Sequence, residues 1–114
     1  MLNLSHGISS ELLRVECLRT LDRYRIANKL EEEDFLSRAE LIHFSLKRIE
    51  LFKMNSEVLA RASQSFPASL GTLDAIHLST CLLYQQRENA EIVLCSHYEG
   101  LKKAAKALGI DVLG

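Results

Sequence analysis

Two carboxylates stand out because each sits on an otherwise apolar stretch. Glu16 lies within Leu12-Leu13-Arg14-Val15-Glu16-Cys17-Leu18, one step from a buried face, and Asp74 lies within Leu73-Asp74-Ala75-Ile76-His77-Leu78. Each has a structural explanation beside the functional one. Asp74 in a first helical turn complements the helix dipole, and Glu16 can pair with Arg14 or Arg19 at the surface. A second group of reactive types, Ser96-His97-Tyr98-Glu99, follows the apolar run Ile92-Val93-Leu94-Cys95. If that run is a strand of a parallel sheet, its carboxyl end is where ligands bind. There Ser96 and His97 are candidates for contacting a phosphate, with helix capping the plainer role for Ser96. Arg14, next to Glu16, is a candidate for a nucleic-acid backbone contact. No nucleophile elbow, phosphate-binding glycine loop or dinucleotide fingerprint is present.

The elements that must position these groups follow from periodicity. Leu13, Cys17, Leu21 and Tyr24 recur at helical spacing and predict a helix over 10–27, with Ser9 or Ser10 as N-cap. Glu31 to Asp34 opens a second helix with Phe35, Leu36, Ala39, Ile42 and Leu46 as its stripe. Residues 49–52 alternate and predict a short strand. Asn55 or Ser56 caps a third helix carrying Val58, Leu59, Ala62 and Phe66, which Pro67 ends. Thr72 caps a fourth helix with Leu73, Ile76, Thr80 and Leu83 or Tyr84 on one side. Residues 92–95 read as a strand buried on both faces, 101–108 as a helix closed by Gly109, and 110–113 as a last strand. Strand, helix, strand is a βαβ unit with parallel strands and a right-handed crossover. The class is α/β.

The totals bound the rest. With 114 residues, 47% hydrophobic and 25% charged, the chain is expected to form one soluble domain over 1–114. Fourteen basic residues against fifteen acidic ones argue against a general nucleic-acid coat protein. Cys17, Cys81 and Cys95 are odd in number and far apart, which suggests three buried thiols in a reducing cytoplasm. There is no signal-peptide pattern at the start and no apolar run near the roughly 20 residues of a membrane span.

Three stretches together resemble the PIN-domain nucleases, and within them the VapC-type toxins. Residues 8–16, with Ser9, Ser10 and Glu16, look like the family's serine-led helix with its glutamate. Leu70-Gly71-Thr72-Leu73-Asp74-Ala75-Ile76-His77-Leu78-Ser79 is close to the family's LRTLDAIHLA motif. Residues 93–112, with Ala104-Ala105 and Leu108-Gly109-Ile110, are similar to its final strand, helix and strand. The resemblance implies a Mg²⁺- or Mn²⁺-dependent ribonuclease, with RNA as substrate and an antitoxin protein as partner. By position, Glu16 and Asp74 would ligate the metal, directly or through water.

The sequence departs from the family pattern in two places. The strand carrying the family's first aspartate has no counterpart, and Tyr98 stands where the last aspartate usually does, with Glu99 beside it as a weak substitute. The expected fold is therefore a PIN-like three-layer arrangement, a short parallel sheet flanked by helices, lacking the usual first strand. The gap would be closed by pairing of the flanking strands, by exchange within a homodimer, or by a partner. Catalysis is expected to be impaired. The alternative is a non-catalytic remnant that binds RNA or an antitoxin-like helix. A start lying further upstream would restore an aspartate.

Overall fold

The computed structural model describes residues 7–96 and 98–113, so the expectation placed on His97 lies outside the described residues. The chain divides into two compact units, Met1–Phe52 and Lys53–Gly114.

In the first unit, strand β1 (Gly7–Ser10) is followed by helices α1 (Leu12–Asn28) and α2 (Glu32–Leu46) and strand β2 (Ile49–Phe52). β1 and β2 are parallel, with Gly7 opposite Ile49 and Ser10 opposite Phe52. The Glu11 amide donates to the Phe52 carbonyl at 2.8 Å, so the ladder runs into the start of α1. Lys29 takes a left-handed conformation, φ 49°, and reverses the chain between the helices. The connection is short, and α2 opens with Glu32, Glu33 and Asp34 at the positive end of its dipole. α1 packs against α2. Guanidinium groups rest on aromatic rings between them: Arg25 lies 5.3 Å from the Phe35 centroid and Arg38 lies 5.1 Å from that of Tyr24. Leu21 and Leu46 are the buried apolar residues of the two helices.

The second unit contains α3 (Ser56–Ala62), α4 (Thr72–Glu88), β3 (Val93–Cys95), α5 (Glu99–Ala107) and β4 (Asp111–Leu113). β3 and β4 pair in parallel across α5, as the βαβ reading requires. Leu78, Leu82, Leu94, Leu101, Ala104, Ala105 and Ile110 form the core. Alanine at 104 and 105, both fully buried, removes side-chain bulk where α5 meets its neighbours. α5 ends in a Schellman motif. Ile110 N–H donates to the Ala105 carbonyl at 2.9 Å and Gly109 N–H to that of Lys106 at 3.1 Å, while Gly109 holds φ 84°. Ile110, 2% exposed, then drops into the core.

Several expectations need correction. The short parallel sheet takes the form of two two-stranded sheets, β1-β2 and β3-β4. Ser9 and Ser10 belong to β1, and Glu11 occupies the N-cap of α1. Ser10 still serves the helix start, because its hydroxyl accepts from Leu12 N–H at 3.2 Å. Gly71 is the N-cap of α4, with Thr72 the first helical residue. α3 stops at Ala62, so Phe66 lies beyond it and reaches the core from the connecting segment. Asn55 caps α3 as expected, its side chain accepting from Val58 N–H at 3.0 Å. Cys95, the last residue of β3, is exposed. Tyr24, Leu36, Leu59 and Leu73, placed on buried stripes by spacing, are exposed. No helix among the described residues is long and apolar enough to cross a membrane.

Candidate functional site

Glu16 is half-buried in the second turn of α1. Its charge is felt next door: burial raises the Cys17 thiol above its ordinary value, and the Glu16 carboxylate raises it further. Arg14 is exposed. Arg19, one possible partner for Glu16, binds Asp22 at 3.1 Å, and the same carboxylate takes Arg25 at 2.8 Å. Those contacts, with the Arg25 hydrogen bond leading, hold the Asp22 carboxyl below its usual value.

Asp74 is the third residue of α4 and half-buried, between exposed Leu73 and buried Ala75. The N-cap, Gly71, has no side chain to accept from the first-turn amides, so the Asp74 carboxylate is the acidic group placed to complement that end of the dipole. A groove of about 490 Å³ runs beside this turn, lined by Leu59, Phe66, Leu70, Thr72, Ala75 and Ile76 among others; Asp74 is not part of its lining.

The third cluster forms where β3 ends. Ser96 N–H donates to the Leu113 carbonyl at 3.1 Å, extending the β3-β4 ladder by one bond. Its hydroxyl accepts from Tyr98 N–H at 3.0 Å and turns the chain into α5. Tyr98 is the N-cap residue and is 49% exposed. Glu99 opens the helix and binds the Lys102 ammonium at 2.8 Å, its own side chain 86% exposed. The hydrogen bond from Lys102 is the main reason its carboxyl sits below the ordinary glutamate value; the charges of Lys102 and Lys106 add to it. The three lysines 102, 103 and 106 share a helix stripe with Glu99, a pattern readable from spacing although no single residue in it stands out.

Glu16 thus belongs to the first unit, and Asp74, Ser96 and Glu99 to the second. Among the described residues, no three or more His, Cys, Asp or Glu side chains gather as a cation site. The carboxylates fit Mg²⁺ or Mn²⁺ in kind, as hard oxygen donors, but not in number for an ion held by protein alone, since such ions take about six oxygens. Glu99 does not make up the deficit while its oxygen is bound to Lys102.

No family model matches the sequence, and no solved structure matches it. The chain is, however, 35% identical to Ribonuclease VapC46 of Mycobacterium tuberculosis (strain ATCC 25618 / H37Rv) over 107 residues, which are 93% of this chain and 72% of that protein. By that similarity the chain belongs to the VapC-type PIN-domain family.

Proposed function

We propose that the chain is a PIN-like ribonuclease domain of the toxin–antitoxin kind, acting on RNA in the cytoplasm and impaired in catalysis as its residues stand. The observation that carries this reading is 35% identity to a ribonuclease over 107 residues, 93% of the chain. Glu16 and Asp74 are the proposed catalytic carboxylates and the ligands for a weakly held Mg²⁺ or Mn²⁺, with Glu99 a weak third. A divalent ion in such a site supplies an activated water and neutralises charge at the scissile phosphate.

The chain's own contributions are contacts to RNA. Arg14, exposed on α1, offers a guanidinium fork to a backbone phosphate. The Ser96 oxygen accepts from Tyr98 N–H, which leaves its O–H free in direction to donate to a phosphate oxygen. His97 completes the proposed substrate contacts. The impairment follows from Tyr98 occupying a position the family pattern gives to a carboxylate, and from Glu99 being engaged by Lys102.

An RNA cleavage assay with Mn²⁺, joined to Mn²⁺ titration by calorimetry, tests the reading. Slow cleavage and weak ion uptake are expected, both abolished by Asp74→Asn or Glu16→Gln in folded protein. Cleavage that persists unchanged in both variants would overturn the assignment.

A second reading, a module that grips an antitoxin-like helix or a second copy without cutting, is favoured by the surface of the α1–α2 pair. Val15, Ile26, Leu41 and Phe44 are there 56–64% exposed, an apolar display larger than scattered surface residues need. The cleavage assay separates the two readings, and light scattering at high concentration tests the second copy: a monomer, unaffected by Leu41→Glu, removes the homodimer.

A further inference from the structure

Tyr98 is the feature that the hydrolytic reading leaves unexplained. A carboxylate position at the end of β3 is filled by an aromatic residue that stays about half in solvent. The ring is also seated. A Cβ placed on Gly100 would lie 2.9 Å from Tyr98 Cζ and Oη and 3.0 Å from Cε2. The hydroxyl end of the ring therefore lies over the first turn of α5, where glycine at position 100 leaves it room.

The charge on α5 is mainly positive. Lys102, Lys103 and Lys106 follow one another along the helix; Glu99, next to Tyr98, is bound by Lys102, and Lys103 and Lys106 are exposed. The chain as a whole carries −1, so this stripe is a local positive field on a nearly neutral molecule.

We propose that Tyr98, packed over Gly100 at the start of the helix that carries the exposed Lys103 and Lys106, is a stacking platform for one unpaired base of single-stranded RNA. The proposal rests on the RNA reading above and deepens it. The ring takes the face of any base, since every base has one, and the two lysines meet the phosphates that flank the stacked nucleotide. Duplex RNA is excluded because its bases have no free face. Contact of this kind needs no cation at position 98, where a carboxylate facing phosphate would.

Fluorescence anisotropy of a labelled oligouridine with the full chain, in EDTA, tests it. Tyr98→Ala is expected to weaken binding about 5- to 150-fold, Tyr98→Phe to bind like the unaltered chain, and Lys103→Ala and Lys106→Ala each to lower the salt slope by about 0.7. Far-UV circular dichroism confirms that each variant is folded, and Tyr98→Phe separates loss of the ring from loss of the hydroxyl. Tyr98→Ala binding within twofold of the unaltered chain, or Phe binding as poorly as Ala, overturns the platform while leaving the RNA reading in place. If the unaltered chain takes up no oligouridine in EDTA, the platform falls; binding regained with Mn²⁺ then leaves the RNA reading in place, and no binding with Mn²⁺ removes that reading too.

Discussion

Replacing Ser79 by alanine should make the protein more stable. Ser79 lies on α4 with 0% exposure, and its hydroxyl has no hydrogen-bond partner among the described residues. On folding it gives up its water contacts and gets none in return, an imbalance of about 1–3 kcal/mol. Alanine adds about 0.5 kcal/mol through its better helix propensity. The void left by one oxygen subtracts a few dispersion contacts, about 0.5 kcal/mol in all. The net gain expected for Ser79→Ala is about 1.5 kcal/mol. At an unfolding entropy of about 2 cal/mol/K per residue, a chain of 114 residues would then melt about 6 °C higher. Urea unfolding followed by far-UV circular dichroism gives the free energy, and a thermal melt gives the midpoint. The adjacent residue supplies a control of opposite sign. Thr80 is equally buried, but its hydroxyl donates to the Ile76 carbonyl at 2.9 Å, and Thr80→Ala also removes a core methyl, so it should cost about 1–2 kcal/mol. A lower urea midpoint for Ser79→Ala would refute the reasoning, since it would mean that the hydroxyl is satisfied in solution.

Gly109→Ala should destabilise the second unit by about 1–2 kcal/mol in the same urea assay, because φ 84° is costly for any residue with a Cβ. Asn55→Ala should cost about 1 kcal/mol by removing the side chain that accepts from Val58 N–H. With a thiol-specific chromophore at pH 8, exposed Cys95 should react first and Cys81 last, because burial pushes the Cys81 thiol up to about 11; Cys95→Ser should remove the fast phase. Lys102 lowers the folded-state value of Glu99, so that pairing is fully present above the unfolded glutamate range and is lost as pH falls through the folded value. An NMR titration of Lys102→Ala should show the Glu99 midpoint move upward.

The parts of the fold that were legible in the sequence are those fixed by local chemistry. Gly109 announces a left-handed residue after a helix and the backbone uses it so; Asn55 announces a cap and accepts the expected amide. Parallel pairing of β3 with β4 followed from an intervening helix. What failed depended on distant neighbours. The run Ile92 to Cys95 reads as doubly covered, yet Leu94 is buried while Cys95 is exposed, and periodicity does not report what covers each face of a strand. Phe66 continues the α3 spacing, but the helix has already ended, and its ring lies 4.5 Å from the Arg61 guanidinium. Ser10 was rightly associated with the start of α1 and wrongly placed in it, because a strand end and a helix start share one hydroxyl there. The positions of Asp74 and Glu16 along their helices were readable from apolar spacing. Whether other oxygen donors converge on either is a tertiary matter, and spacing within one element carries no information about it.

The electrostatics at the end of β3 connect the two halves of the functional reading. An aspartate at 98 would stand beside Glu99 and place two negative charges before an incoming phosphate, an arrangement favourable only with a divalent cation between them. With tyrosine there, Lys102 suffices to neutralise Glu99, and the charge of Lys103 and Lys106 remains for the nucleic acid. On the proposed reading, tyrosine in place of a cation ligand at 98 also removes the need for the cation in binding. On this argument, RNA affinity should survive chelation while cleavage should not, and a chain whose affinity and cleavage fall together in EDTA would show that the ion still organises the substrate contact.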